Sequence, residues 1–299
     1  MYHKSFIFPI FAGMLLIPTA CTNNTDWDNR DTRVATLTLT SQIVSTRCLN
    51  SSLQGTQIAK GAKIGVLAYD NNISVVNNHP LEADGKGILT GDAISISYST
   101  SSATITAYAP YNNKWTLESS SYNFNISTDQ STEEGYLESD LLWGQVQNVN
   151  LSEETKANIT FCHKLSKLLV TLSKDDASTL SLKDAEVSIL GVKDQITFTP
   201  TTGVLGEASN STTNILIAKL SDEKTANMAA ILIPQTVSSK HYFFKIKLAS
   251  GKVFYAKLNK SCTLESGKAY KISVSLETSS EENITVNIKE ENEINGLLG

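Results

Sequence analysis

Two tandem β-sandwiches, an all-β fold, are the architecture that this sequence predicts. Three observations support the prediction: apolar and polar residues alternate with period two, turn-forming Gly, Asn and Asp separate the alternating segments, and no convincing helix exceeds two turns. Period-two alternation indicates strands because successive strand side chains point to opposite faces of a sheet. The chain of 299 residues is long enough for two ordinary domains.

The chain opens with a segment typical of export signals. Lys4 precedes an apolar run at 5–17, which is shorter than the roughly 20 residues of a bilayer-spanning helix. Pro-Thr-Ala-Cys follows and resembles a bacterial lipobox, with cleavage before Cys21 and lipidation of it. The alternative is an ordinary signal peptide cut after Ala20, which leaves a free Cys21. We expect a signal peptide at 1–20 and a polar tether at 21–33, so that a lipid on Cys21 holds the protein at a membrane surface.

The first strand, at 34–44, shows the clearest alternation. Arg30, Arg33 and Arg47 surround it, and they are the only arginines in the chain. The pattern predicts one apolar face and one polar face, as in a half-buried strand. The apolar face carries Ala35, Leu37, Leu39 and Ile43, and the polar face carries Thr36, Thr38, Thr40 and Gln42.

Two further sets of strands complete the predicted sandwiches. With the first strand, six more segments give an N-terminal set of seven over 34–175, and seven segments give a C-terminal set over 176–299. The N-terminal segments are 62–70, 93–99, 103–111, 122–127, 140–149 and 158–173. The C-terminal segments are 185–192, 195–200, 213–220, 228–235, 242–249, 252–258 and 268–276.

The C-terminal tail alternates once more and predicts an eighth strand, which the second sandwich does not need. Its apolar face would carry Ile284, Val286 and Ile288, and Ile294 keeps the same phase. A sandwich that lacks one strand exposes an apolar groove with unpaired backbone groups, and an extended segment of another chain can fill it. The first strand could vacate such a groove, and the tail could fill one in a neighbour.

Composition and motifs argue against catalysis and against nucleic-acid binding. The formal net charge is −5, arginines are few and no basic cluster is evident, so nucleic-acid binding is disfavoured. No phosphate-loop, nucleophile-elbow or zinc-protease motif occurs, so the sequence offers no sign of catalysis. Cys162 and His163 are adjacent, but neighbours in a strand point apart, so a nucleophile–base pair is disfavoured. Residues 82–87 fit a hairpin turn better than a calcium loop. We expect no enzyme, no metal and no cofactor.

The remaining candidate residues have simpler interpretations. Cys48, Cys162 and Cys262 are isolated, so they predict small buried residues, although one disulfide is possible. Trp115 and Trp143 could line a glycan surface, but aromatic residues of this kind more often lie in a core or at its rim.

Several motifs together resemble the fimbrillin family, the pilin and fimbrial-tip lipoproteins of type V pili in Gram-negative anaerobes. The similarity runs from the lipobox to about residue 276. It rests on TAYAPY (106–111), DLLWG (140–144), FCHKLSKLLVTL (161–172), LIPQT (232–236) and SGKAYKISVSL (266–276).

The resemblance implies two transthyretin-like β-sandwich domains in a non-enzymatic structural subunit of a cell-surface fimbria. It further implies export as a palmitate-bearing lipoprotein of the outer membrane, and removal of residues up to Arg47 by an Arg-specific extracellular protease. Cutting after Arg33 would leave the first strand in place, whereas cutting after Arg47 would release it. Other pilin subunits would be the partners and 284–299 the candidate donor strand. Stalk and tip roles stay open, and the alternative is a non-polymerising surface adhesin that binds glycan or host protein.

Overall fold

The computed structural model describes residues 33–43, 57–70, 73–98, 102–115, 121–175, 178–221, 225–276, 283–286 and 288–290. Strands dominate these residues, which confirms the all-β prediction, and they belong to one compact unit. The predicted signal peptide and tether, with Cys21, lie outside the described residues, apart from Arg33 at the end of the predicted tether.

An eight-stranded sheet contains most of the N-terminal strands, and its order is β4-β3-β2-β6-β8-β9-β1-β5. Its apolar face packs on a core that includes Ile64, Ile105 and Phe161. The strands of this sheet are β1 (Arg33–Ile43), β2 (Lys63–Asp70), β3 (Ile73–Ala83), β4 (Leu89–Thr90), β5 (Ile94–Tyr98), β6 (Ser102–Ala109), β8 (Leu142–Asn150) and β9 (Glu154–His163).

Four smaller sheets contain the other strands, in the orders β15-β10-β20-β22, β14-β11-β17-β18-β21, β13-β12-β7 and β16-β19. They enclose a second, larger core that includes Phe198, Phe244 and Phe254. Their strands are β7 (Tyr122–Asn125), β10 (Ser166–Lys174), β11 (Glu186–Val192), β12 (Gln195–Thr199), β13 (Val204–Ala208), β14 (Thr213–Lys219), β15 (Thr225–Leu232), β16 (Gln235–Val237), β17 (Tyr242–Lys247), β18 (Val253–Leu258), β19 (Cys262–Leu264), β20 (Ala269–Leu276), β21 (Asn283–Val286) and β22 (Ile288–Glu290).

The last strand of the eight-stranded sheet along the chain, β9, ends at His163, upstream of the predicted boundary near residue 175. The alternating segment at 158–173 is two strands, β9 and β10, and these belong to different sheets. The break falls at Lys164 and Leu165, where the Lys164 N–H donates to the carbonyl of Leu141. The buried apolar residues are odd-numbered in β9 (Ala157, Ile159 and Phe161) and even-numbered in β10 (Leu168, Val170 and Leu172). The alternation therefore changes phase across the break, a signal that the prediction of one strand over 158–173 overlooked. Strand β7 also pairs with β12 of the second half. The division into two seven-stranded domains stays a prediction.

One short helix, α1 (Glu133–Glu138), lies in the segment between β7 and β8. Thr132 caps it, because its Oγ1 accepts the N–H of Gly135 at 3.1 Å. Glu133 and Glu134 in the first turn interact favourably with the positive end of the helix dipole.

The predicted hairpin turn at 82–87 is present between β3 and β4, which pair antiparallel. The carboxylate of Asp84 accepts the backbone N–H groups of Lys86 at 2.7 Å and Ile88 at 2.9 Å. These two bonds, that of Lys86 first, hold the pKa of Asp84 below its ordinary value of 3.8, because they stabilise the charged form.

Candidate functional site

The first strand, β1, fills a slot in the interior of the eight-stranded sheet. On one side its residues Thr36 to Ile43 pair in parallel with 154–161 of β9. On the other side its residues Arg33 to Leu37 pair antiparallel with 94–98 of β5. The Ser41 N–H adds a bond of 2.7 Å to the carbonyl of Gly87. The strand is therefore bonded along both edges, and its loss would leave two unpaired edges facing each other across one strand width.

The apolar face of β1 has the composition that the sequence predicted. Ala35, Leu37, Leu39 and Ile43 are all buried, with 0%, 6%, 1% and 9% of their surface exposed. Their neighbours in the same core come from both walls of the slot: Ile94 and Ile96 from β5, and Ala157, Ile159 and Phe161 from β9. Burial confirms the predicted half-buried strand.

Ser41 also lies on the buried face of β1, where the alternation places it between Leu39 and Ile43. It is 5% exposed, and within the described part of the chain its hydroxyl has no hydrogen-bond partner. A buried hydroxyl without a partner costs free energy, since water that solvated it has been removed. The alternation phase alone places Ser41 on this face, although its polar side chain does not mark it as a core residue.

The polar face of β1 is exposed and makes a short ladder with β9. Thr40 Oγ1 donates to Asn158 Oδ1 at 3.1 Å, and Gln42 Nε2 donates to Thr160 Oγ1 at 3.0 Å. Exposed polar bonds of this kind contribute little to stability compared with the buried face. The buried face and the backbone ladders therefore supply most of the free energy that holds β1 in its slot.

The described part of β1 ends at Ile43, which lines a cleft of about 1650 Å³. Tyr111, Leu142 and His163 are among the other residues that line it. The predicted protease site at Arg47 and the nearby Cys48 lie outside the described residues.

The candidate donor segment lies along two sheet edges of the C-terminal part of the chain. Ile284 and Val286 belong to β21, which pairs in parallel with β18 at residues 255–258. Ile288 belongs to β22, which pairs antiparallel with β20 at residues 270–272. Ile294 lies outside the described residues. Each of these short strands is the last strand of its sheet, so the segment covers both edges.

The adjacent Cys162 and His163 have separate environments. His163 is buried, and its Nδ1 lies 2.8 Å from a carboxylate oxygen of Asp140. Cys162 is partly exposed, and its thiol contacts the carbonyl of Trp143 at 3.4 Å. Cys162 and Cys262 are both partly exposed. Among the described residues, no group of three or more His, Cys, Asp or Glu side chains is placed so that it could hold a metal ion. No helix of the described residues is long and apolar enough to cross a membrane.

The two tryptophans singled out in the sequence differ in burial, because Trp115 is buried and Trp143 is partly exposed. Trp115 is only 3% exposed and packs among Tyr108, Tyr122 and Phe198. The ring of Trp143 lies against Gly203, and the Lys164 ammonium sits 5.4 Å from its centroid. Trp115 is therefore a core aromatic, and Trp143 is a partly buried aromatic packed against the core, which confirms the interpretation of these rings as core or rim aromatics.

Comparison with known proteins identifies similar chains. The sequence model of a family described as fimbrillin-like matches residues 46–290. No match is found among curated proteins.

Three solved structures illustrate the similarity of fold. A candidate cell adhesion protein of Bacteroides uniformis has a TM-score of 0.66 and 20% identity over 86% of this chain and 97% of its own. One from Bacteroides ovatus has a TM-score of 0.63 and 21% identity over 86% and 96%. The tip fimbrial protein Mfa3 of Porphyromonas gingivalis, truncated at its C-terminus, has a TM-score of 0.51 and 9% identity over 87% and 99%.

Proposed function

Because the chain belongs to the fimbrillin-like family, we propose that it is a structural subunit of a cell-surface fimbria of the type V pilus class that supports adhesion and assembles by strand exchange. The observation that carries the proposal is the position of β1. This strand pairs on both edges inside a sheet, and it is the first strand of the compact unit. A strand in that position can be removed by one cut on its C-terminal side, and no other strand need be displaced.

The vacated slot would bind an extended segment strongly. Leu37, Leu39 and Ile43 each contribute roughly 1.5–3 kcal/mol when they are buried. Loss of β1 would expose their apolar neighbours and the edges of β9 and β5 to water. A donor strand with apolar residues at every second position restores both the core and the backbone ladders. When a strand of one subunit fills the slot of the next, the contact is head-to-tail. Repeated contacts of this kind build a fibre, provided that the rotation between neighbouring subunits does not close them into a ring.

The proposed trigger is cleavage after Arg47 by an Arg-specific extracellular protease. Arg33 is the first residue of β1, so cutting there leaves the strand in its slot. Arg47 follows β1 by four residues, and a cut after it frees the strand from the rest of the chain. The chain contains no arginine beyond position 47, so such a protease would have no second site in the domains.

The proposed donor is the segment 284–299, including Ile284, Val286, Ile288 and Ile294. In the monomer β21 and β22 occupy edges of two different sheets. Donation therefore requires these short pairings to open first. The pairings involve four and three residue pairs, fewer than the eight that join β1 to β9. Edge strands of this length are the ones expected to detach at least cost.

Before cleavage, a lipid on Cys21 would anchor the subunit to the outer membrane. The 21–33 tether would separate that anchor from the first strand. Cleavage after Arg47 would cut the covalent link between the subunit and its anchor, and departure of the cut strand would then open the slot and free the subunit. The proposed partners are therefore other pilin subunits, the membrane lipid and the protease.

The trigger is tested with Arg47→Ala, with Arg33→Ala as the matched control. The protein is treated with an Arg-specific protease, sized by gel filtration and inspected by negative-stain electron microscopy. We expect fibres or oligomers from the parent protein and from Arg33→Ala, and monomer from Arg47→Ala. Fibres from Arg47→Ala would refute the assignment of the cleavage site.

The donor is tested by deletion of 284–299. The truncated protein should fold, be trimmed at its N-terminus and fail to extend chains. It should still accept the tail of an intact subunit, because its own slot is unchanged. Normal fibre growth by the truncated protein alone would exclude the tail as donor.

A further inference from the structure

The hairpin formed by β17 and β18 is strongly basic in an otherwise acidic protein. Residues 225–264 contain six lysines and no Asp or Glu. The whole chain has a formal charge of −5, so without these six positive charges the rest carries −11. The six residues are Lys240, Lys245, Lys247, Lys252, Lys257 and Lys260.

The strand register places part of this charge on one open face with two tyrosines. Tyr242 lies opposite Lys257, and Lys245 lies opposite Tyr255. Residues directly opposite in an antiparallel pair share a face of the sheet. The two tyrosine rings are 5.2 Å apart, and Tyr242 is 42% exposed. We call this face, with Lys247 at its end, the lysine–tyrosine face; the opposite side of the hairpin packs into the core through Phe244, Ile246, Phe254, Ala256 and Leu258.

The described residues neutralise little of the charge on this face. Among the described residues, only Lys247 of this face has a carboxylate within 4.0 Å, that of Glu186 at 3.5 Å, and both side chains are about half exposed. Lys245 and Lys257 are diagonal neighbours, so their Cβ atoms lie about 7 Å apart. Like charges at this spacing repel, and an added anion between them would remove that repulsion.

The remaining lysines extend the positive potential along the whole hairpin. At one end of the hairpin, the Ser239 N–H donates to Ser261 Oγ at 3.1 Å. Lys240 and Lys260 are the chain neighbours of these two serines, so they lie at the same end. Lys252 lies at the other end, with its ammonium 4.7 Å from the ring centroid of Phe254. Strands of six residues span about 20 Å, which is the length over which a linear polyanion could follow the hairpin.

We propose that the lysine–tyrosine face binds an acidic polysaccharide, through sulfate or carboxylate groups on the lysines and sugar rings on the tyrosines. The lysines recognise the charge of such a ligand. The tyrosines distinguish a polysaccharide from an acidic peptide, because their apolar faces can cover the C–H faces of pyranose rings while their hydroxyls stay wet. The face lies on the folded monomer, so this binding does not depend on strand exchange.

The test uses the uncleaved monomer with heparin as a sulfated polymer, polygalacturonate as a carboxylate polymer, dextran as a neutral polymer and poly-glutamate as an acidic peptide. Binding is measured by biolayer interferometry at 50 and 300 mM NaCl. We expect binding to heparin, to polygalacturonate or to both, weaker binding at high salt and none to dextran. The preferred polymer identifies the anionic group.

Two variants locate the site. Lys245→Gln/Lys257→Gln should weaken polysaccharide binding about tenfold, since each exposed charge pair contributes up to about fivefold. Lys86→Gln/Lys156→Gln removes the same charge from exposed lysines elsewhere and should leave binding within about twofold of the parent. Tyr242→Ser should weaken polysaccharide binding and leave any poly-glutamate binding unchanged.

Three outcomes would overturn the proposal. The first is no binding to either acidic polysaccharide, and the second is an equal loss of polysaccharide affinity in the two double-lysine variants. The third is binding to poly-glutamate as tight as to the polysaccharide, together with no effect of Tyr242→Ser. The last outcome would assign the face to an acidic protein segment instead. Thermal melting of each variant separates loss of the site from loss of the fold.

Discussion

Ser41→Ala should tighten the hold of the first strand in its slot. The Ser41 hydroxyl is buried on the apolar face of β1, and among the described residues it has no hydrogen-bond partner. Its backbone N–H bonds to the carbonyl of Gly87 at 2.7 Å, and the substitution leaves that bond in place. The expected change is therefore the removal of one unsatisfied polar atom from a core between two large apolar side chains.

The magnitude follows from the cost of that atom. A buried polar group without a partner carries a penalty of about 1–3 kcal/mol, so Ser41→Ala should raise the free energy of unfolding by about this amount. The same free energy should lengthen the retention of a cut strand about 5- to 150-fold. Leu39→Ala is the opposite perturbation, because Leu39 is 1% exposed and its truncation should cost about 2–5 kcal/mol.

The assay combines equilibrium and kinetic measurements. Urea unfolding gives the free energies, and release of the 34–47 peptide after Arg-specific digestion, chased with excess labelled peptide, gives the retention times. Thr38→Val on the exposed face is the control and should change stability by less than about 0.5 kcal/mol. If Ser41→Ala lowered stability, or released the peptide faster than the parent, the hydroxyl would have a partner in solution and the reasoning would be refuted.

Three further predictions concern two buried residues and one turn residue outside β1. Gly65→Ala should lower the free energy of unfolding by about 1–3 kcal/mol in urea denaturation, since an added Cβ would overlap the ring of buried Tyr108; an unchanged midpoint would contradict it. Asp140→Ala should cost about 1–3 kcal/mol by the same measurement, because buried His163 would lose its 2.8 Å partner; a double-mutant cycle with His163→Ala should show coupling between the two. Asp84→Asn should flatten the acid side of a stability–pH profile: a carboxyl whose pKa is lowered on folding stabilises the protein above its ordinary pKa of 3.8, and that stability is lost as the pH falls. An acid limb as steep as the parent's would count against this role of Asp84.

The sequence by itself determined the all-β class, most of the strands and the buried face of β1. It succeeded because the period of two in a strand is visible in one chain without its neighbours, as at Leu37 and Leu39. Motifs distributed over both halves also placed the chain in the fimbrillin-like family before any fold was known, and the family match over 46–290 confirms that assignment. Strand β3 was missed because Asn77, Asn78 and Pro80 interrupt its pattern, although it pairs with both β2 and β4.

Only the tertiary structure decided which strands are partners. The sequence predicts one strand over 158–173, yet β9 pairs with β1, whereas β10 pairs with β15 and β20 in another sheet. Pairing depends on contacts between residues more than 100 positions apart, such as Thr40 with Asn158, and no local period encodes such distances. The same reason explains why the sequence could propose a removable strand but not its slot. It also explains why Lys245, Lys247 and Lys257 formed a face with Tyr242 and Tyr255 only once the register of β17 and β18 was known.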